Sequence, residues 1–167
     1  MIARALTLAG GLTGAAGLSQ FPEFSQQYIQ RMGGAVDELS RFVAEFDADA
    51  SALGVSREEA LVELAAGSDM GRARAQTVAQ TIARHARLEA DLAVLQTAGP
   101  FTRAYEMRRF RDSEIAARAW EAYQPALPLT FEGGLFAGTG FLGGLGFIGG
   151  LMALLRALFG RRTRQSA

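Results

Sequence analysis

A run of 23 residues without a charged side chain, from Gly133 to Leu155, constrains this chain more than any other part of its sequence. As an α-helix the run would be roughly 35 Å long, since each residue adds about 1.5 Å, and a hydrocarbon core is about 30 Å thick. Its nine glycines would destabilise a helix in water, but in lipid every backbone group must bond within its own segment. We therefore predict a C-terminal glycine-rich transmembrane helix over residues 129–160.

The glycines of this run recur at a spacing of four residues, which lets two helix backbones approach closely. The pairs are Gly134 with Gly138, Gly140 with Gly144, and Gly146 with Gly150. We predict that these six residues form helix-packing contacts; the alternative is that lipid simply tolerates them. The GxGxxG pattern in the run does not indicate a nucleotide site, because no strand precedes it and arginines rather than an acid follow it.

A second uncharged run, from Ala5 to Pro22, follows the basic start of the chain. We predict an N-terminal transmembrane anchor over residues 1–20, in which Arg4 reaches back to the inner surface. A cleavable signal peptide is the alternative, because the run is short and small residues lie near its end. Both alternatives place the middle of the chain on the outer side of the membrane.

The charges are unevenly distributed, although the chain carries 17 acidic and 17 basic residues. Every basic residue is an arginine, and the absence of lysine and asparagine is typical of GC-rich bacterial genomes. Five arginines lie in the two ends: Arg4, Arg156, Arg161, Arg162 and Arg164. Basic residues that flank membrane helices stay in the cytoplasm. We therefore expect a bacterial inner-membrane protein with both termini cytoplasmic, a periplasmic helical domain over 21–128 and a basic cytoplasmic tail over 161–167.

The middle of the chain has the periodicity of helices. Apolar residues recur every three or four positions from Phe21 to Leu53, which predicts a long amphipathic helix. Ser56 and Glu59 have the spacing of a capping box for a short helix that ends at Gly67, and a third helix is predicted from about Asp69 to Ala98. The expected fold class is all-α: two transmembrane helices flanking an extramembrane antiparallel helical hairpin, coiled-coil-like, with the short helix at its tip.

The segment that returns towards the last helix is rich in arginine and aromatic residues. We predict two helical pieces that meet near Asp112, an N-cap residue type, and a turn at Pro125 and Pro128. Trp and Tyr favour the headgroup region, and arginines there bind lipid phosphates or the acidic patch of a partner. The predicted lipid-headgroup residues are Arg103, Arg108, Arg109, Arg111, Trp120 and Tyr123. The alternative is a solvated face in which the arginines pair with Glu106, Asp112 and Glu114.

The start of the long helix has a polar and glycine-containing surface that suits a tight contact better than bare solvent. We predict a partner contact formed by Gln26, Gln27, Gln30, Arg31, Gly33 and Gly34. The block SQFPEFSQQYIQRMGGAVDEL at 19–39, with the two membrane ends, resembles an uncharacterised bacterial membrane-protein family, domain of unknown function 2937 (DUF2937). The residues that match are Gln26, Gln27, Tyr28, Gln30, Arg31, Gly33, Gly34, Asp37 and Glu38. The resemblance implies a small inner-membrane protein and supplies no activity.

No catalytic, cofactor-binding or metal-binding pattern is evident in the sequence. Cysteine is absent, and His85, the single histidine, lies on the apolar stripe of its helix. We expect a non-enzymatic protein with no cofactor, metal, nucleic-acid partner or small-molecule substrate. We expect it to act as a scaffold or accessory subunit in contact with membrane lipid, as a homo-oligomer or part of a larger inner-membrane complex. The alternatives are an oligomeric pore or transport accessory component, and a soluble exported domain with a tail anchor.

Overall fold

The computed structural model describes residues 2–123 and 130–159, and all regular structure in these ranges is helical. The helices are α1 (Ile2–Ser19), α2 (Phe21–Ala52), α3 (Arg57–Gly67), α4 (Asp69–Thr97), α5 (Pro100–Tyr105), the 3₁₀ turn Met107–Arg109, α6 (Ser113–Glu121) and α7 (Phe131–Phe159). The predicted all-α class is confirmed for these residues. The turn predicted at Pro125 and Pro128 and the tail predicted over 161–167 lie outside them.

The chain divides into two compact units. The terminal unit consists of Met1–Gln26, Pro100–Ala104 and Ala122–Ala167, and the middle unit consists of Gln27–Gly99 and Tyr105–Glu121. Helix α2 therefore begins in the terminal unit and continues into the middle unit. Each unit has its own packing, and the two are described separately.

The terminal unit is built on α1 and α7, which run antiparallel. Gly10 lies opposite Gly144, and Gly14 lies opposite Gly140. In the described part of the chain α7 alone is long and apolar enough to cross a membrane, with a mean hydropathy of 1.8, and its apolar stretch is not buried within the protein. Of the two predicted transmembrane helices, α7 thus has the required length and composition. The assignment of α1 as a second span stays a prediction.

The start of α7 is fixed by a side-chain cap. The backbone N–H of Gly133 donates to Thr130 Oγ1 at 3.1 Å, and the N–H of Gly134 donates to the Thr130 carbonyl at 2.9 Å. Glu132 lies in the first turn, where a negative charge complements the positive end of the helix dipole. These interactions begin the helix directly before its uncharged run.

Helices α3 and α4 of the middle unit both begin at side-chain caps, of which the sequence predicted the first. The capping box of Ser56 and Glu59 is present, and the side chain of Ser68 accepts from the Gly71 N–H at 3.0 Å at the start of α4. Helix α3, predicted at the tip of the hairpin, packs directly on the first turns of α4. A Cβ atom added to Gly71 would lie 2.4 Å from the Leu64 carbonyl oxygen, so only glycine permits this approach.

The core of the middle unit includes α6 as well as the two long helices. Tyr28 and Met32 of α2, and Leu88 and Leu95 of α4, are almost fully buried, as is Ala119 of α6. The sequence led us to expect a hairpin of two long helices. In the structure, α6 contributes to the core of that hairpin as well. The segment from the 3₁₀ turn to α6 packs on both long helices.

Two carboxylates fix this returning segment in place. Asp91, buried in α4 between Leu88 and Leu95, accepts from Arg109 Nη1 at 2.8 Å and pairs with Arg111 at 3.5 Å. Asp112 accepts the Ile115 N–H at 3.1 Å, which confirms it as the N-cap of α6. Buried charges of this kind are tolerated when they are paired and hydrogen-bonded.

We predict that Asp91→Ala lowers the free energy of unfolding by about 2–3 kcal/mol, because it leaves the partly buried Arg109 guanidinium without its carboxylate. The matched control is Asp69→Ala. Asp69 also pairs with an arginine, but its side chain is 96% exposed, so the expected loss is about 0–1 kcal/mol. Chemical denaturation of the detergent-solubilised chain, followed by circular dichroism, compares the two. Equal losses would contradict a structural role for the Asp91 pair.

Candidate functional site

An open groove on the middle unit contains part of the predicted partner-contact block. The groove has a volume of about 400 Å³ and is lined by Arg31, Gly34, Ala35, Glu38, Leu39, Arg84, Glu114, Ile115 and Arg118. We call it the Arg31 groove. Its lining comes from α2, α4 and α6, so it exists only because the returning segment packs against both long helices.

The charges on the floor of the Arg31 groove are held by a network. Arg84 donates to both oxygens of Asp112 at 3.0 and 3.1 Å and pairs with Glu114 at 2.9 Å, while Arg118 donates to Glu114 at 2.6 Å. Burial would raise the pKa of Asp112, but the hydrogen bonds from Arg84 and from the Ile115 N–H outweigh it and hold that pKa below its usual value. Hydrogen bonding to Asp112 correspondingly raises the pKa of Arg84.

Arg31 differs from the other arginines of the groove. It is exposed and has no ion-pair partner in the described part of the chain, and the nearby Glu38 pairs with Arg41. A Cβ atom added to Gly34 would meet nothing within 4 Å, so the wall of the groove is open at this position. The groove therefore presents the Arg31 guanidinium beside the open surface at Gly34.

The remaining residues of the predicted block are distributed over other environments. Gln30 is exposed, Gln27 is half-buried, and Gly33 has open space at its Cβ position without lining the groove. Gln26 belongs to the terminal unit, where it lines a separate cleft of about 290 Å³ with Glu23, Arg103 and Glu132. The structure thus brings Arg31 and Gly34 together in one groove, while Gln26 lies in another unit.

The predicted lipid-headgroup arginines are mostly engaged with carboxylates. Arg108 and Arg109 pair with Glu106 at 3.3 and 2.9 Å, and Arg109 and Arg111 pair with Asp91. Arg103 belongs to the terminal unit, and burial lowers its pKa. Sequence reasoning missed Asp91 as a partner, although its spacing from Leu88 and Leu95 on one helix face was the available signal.

The two aromatic residues of the same prediction lie in different units. Trp120 is 69% exposed on α6 of the middle unit. In the terminal unit the Tyr123 hydroxyl donates to Gln20 Oε1 at 2.5 Å, and the Tyr123 ring contacts Phe24 edge to face at 6.3 Å. Burial raises the pKa of Tyr123.

The predicted helix-packing glycines fall into two groups. Gly140 and Gly144 lie against α1: added Cβ atoms would be 2.1 Å from the carbonyl oxygens of Gly14 and Gly10, respectively. Added Cβ atoms at the other four would meet no atom of the described residues within 4 Å; these are Gly134, Gly138, Gly146 and Gly150. Sequence reasoning missed Gly10 and Gly14 as the matching surface, although they have the same four-residue spacing.

The described residues contain no group of three or more His, Cys, Asp or Glu side chains that could hold a metal ion. Within the part of the chain that the structure describes, the Nε2 atom of His85 is buried and has no hydrogen-bond partner. What the site offers chemically is ion pairing through guanidinium and carboxylate groups and close helix contact.

The comparisons with known proteins agree with the resemblance of the 19–39 block. A family profile described as "Protein of unknown function (DUF2937)" matches residues 2–161. No curated protein and no solved structure matches the chain. The family description assigns no activity.

We predict that Gly144→Leu separates α1 from α7, because the Gly10 carbonyl leaves no room for a side chain. The chain has no native cysteine, so Thr7→Cys with Gly149→Cys provides a disulfide reporter for this pair of helices. Oxidation should close the disulfide in this background and fail to do so when Gly144→Leu is added. Gly143→Leu is the matched control, since a Cβ at Gly143 meets nothing within 4 Å. Crosslinking unaffected by Gly144→Leu would contradict the contact.

We predict that acid weakens the middle unit through Asp112. Its pKa is lower in the folded protein than the unfolded value of about 3.9, so its contribution to stability is present above about pH 4 and is lost as the pH falls through the folded pKa. Asp112→Asn keeps an N-cap residue type but removes this dependence. Denaturation curves at neutral and acidic pH should differ less for Asp112→Asn than for the exposed control Asp49→Asn, and equal differences would count against the prediction.

Proposed function

The chain belongs to the DUF2937 family of unknown function, and from its own geometry we propose that it is a small, non-enzymatic bacterial inner-membrane protein. It acts as a scaffold or accessory subunit through the middle unit and the glycine-faced membrane helices. The observation that carries this proposal is the antiparallel contact of α1 and α7 at glycine, combined with an outward surface of large apolar side chains.

The outward surface of the helix pair supports a lipid environment. Leu142 and Phe147 of α7 are 68% and 73% exposed, and Leu12 of α1 is 59% exposed. Continuous exposed apolar surface of this kind marks contact with a membrane or another protein. If α7 crosses the bilayer, α1 lies at the same depth, because their backbones touch. The contact with α7 supports a second span despite the shorter apolar run of α1, whose 18 residues make roughly 27 Å of helix.

The orientation follows from the arginines of this pair. Arg4 of α1 and Arg156 of α7 line the same cleft at one end of the antiparallel helices. Basic residues at the ends of membrane helices are retained in the cytoplasm, which favours this end as the cytoplasmic one. The middle unit, inserted between the two helices in the sequence, is then periplasmic.

The three glycine pairs of α7 support assembly with further helices. At about 100° per residue, the pairs Gly134/Gly138, Gly140/Gly144 and Gly146/Gly150 point in directions about 120° apart. α1 occupies the direction of Gly140/Gly144, and no described residue lies within 4 Å of the Cβ positions in the other two directions. Small residues at four-residue spacing favour close contact between membrane helices. We therefore propose contacts with a second copy of the chain or with helices of a larger inner-membrane complex.

The Arg31 groove supports a contact with protein on the outer side. Its free guanidinium and open glycine wall suit an acidic side chain carried on a helix or loop of a partner. The fixed pairs of Arg84 with Asp112 and of Arg118 with Glu114 pre-organise the surrounding surface. Pre-organised surfaces lose less conformational entropy when they bind.

Native mass spectrometry of the chain extracted in mild detergent tests the assembly. We expect an oligomer or complex that Gly138→Leu or Gly150→Leu disrupts and that the matched variants Gly138→Ala and Gly150→Ala retain, because alanine keeps a small contact surface. Arg31→Ala with Gly34→Leu should weaken crosslinking to the partner, whereas Gly33→Leu, beside the groove, should not.

Three results would contradict the proposal. The first is a monomer in every preparation, with no partner crosslinked through the middle unit. The second is a chain that stays soluble without detergent. The third is ion conductance by the purified chain in liposomes, which would favour the oligomeric pore.

A further inference from the structure

One end of the α1 and α7 pair carries a cleft that the proposed assembly does not use. It has a volume of about 380 Å³, and its walls include Arg4 and Thr7 of α1 and Leu145, Gly149, Met152 and Arg156 of α7. This volume is within the range of about 300–1,000 Å³ that small-molecule sites occupy. All of these residues belong to the terminal unit.

The two arginines of this cleft have no acidic partner among residues 2–123 and 130–159. Neither Arg4 nor Arg156 forms an ion pair within the described ranges. The sole acidic residue in α1 and α7 is Glu132, which lies at the opposite end of α7, about 36 Å away along the helix. The described lining of the cleft therefore carries positive charge only, which suits an anionic ligand.

The rest of the cleft is apolar and open. Leu145, Met152 and the glycine surface at Gly149 form its α7 wall. A Cβ atom added to Gly149 would find its nearest neighbour, Thr7 Cγ2, at 3.9 Å, so glycine leaves free space at this point. The dipoles of the two antiparallel helices oppose each other at this end, which leaves the guanidinium groups as the source of the positive potential.

We propose that this cleft binds an anionic phospholipid, with the headgroup phosphate on Arg4 and Arg156 and part of an acyl chain against Leu145 and Met152. Guanidinium groups bind phosphate oxygens through paired, charge-assisted hydrogen bonds. A lipid can contact both the two arginines and the apolar wall, whereas free phosphate can contact only the arginines. This inference rests on the proposed membrane location of α1 and α7.

The test is native mass spectrometry of the chain purified in detergent and incubated with phosphatidylglycerol, phosphatidylcholine or inorganic phosphate. We expect retained phosphatidylglycerol, little phosphatidylcholine and no retained phosphate. Arg4→Gln and Arg156→Gln should each weaken phosphatidylglycerol retention about tenfold, the effect expected from losing one charge-assisted contact. The charge-matched control Arg74→Gln, on the exposed face of α4, should leave it unchanged.

A second pair of variants tests the apolar wall. Gly149→Leu should fill the cleft and reduce retention, whereas Gly149→Ala adds one carbon at an ordinary contact distance and should preserve most of it. Equal retention of the two lipids, or equal retention by the arginine variants and the control, would overturn the inference. If the chain instead stays soluble without detergent, the proposed membrane location fails first, so the two failures are distinguishable.

Discussion

The close approach of two backbones at Gly10, Gly14, Gly140 and Gly144 is the contact on which the terminal unit depends. If both helices lie in lipid, as we propose, burial of apolar surface does not drive them together, because lipid tails are as apolar as leucine, and packing at small residues has to do so. Any side chain at Gly140 or Gly144 would overlap a carbonyl oxygen of α1. The contact also explains how a short helix with Arg4 in its first turn could stay beside a much longer apolar one.

The middle unit depends on a different interaction, the pairing of buried or half-buried carboxylates with arginine. Asp91 and Asp112 each receive guanidinium groups, and both lie where the returning segment meets the long helices. The Tyr28 hydroxyl accepts the Asp112 N–H at 3.1 Å, which ties α2 to the same point. Arg109 and Arg111, two of the predicted headgroup residues, form part of this network, and the headgroup contact of the six residues stays a prediction. Arg84, the partner of Asp112, also lines the Arg31 groove.

The helices could be predicted from the sequence because the residues that begin and end them lie close together in the chain. The capping box of Ser56 and Glu59 and the N-cap at Asp112 involve residues within three positions of each other, and Gly54 has the positive φ of 75° that ends a helix. The packing partners were harder to predict because they are distant in the chain. Asp91 has the polarity of a solvated residue, and its burial makes sense only with Arg109, which reaches it from another segment.

The packing partners of the α7 glycines were also hard to predict from the sequence, because they too are distant in the chain. At Gly140 and Gly144 the absence of a side chain has a cause within the chain, namely the α1 backbone. At Gly134, Gly138, Gly146 and Gly150 the described residues place no atom within 4 Å of the Cβ position, so no described contact requires glycine there. A helix from outside the chain that approaches α7 as closely as α1 does would require small residues on the face that it contacts. The proposed assembly places such a helix on the faces of α7 that α1 does not cover.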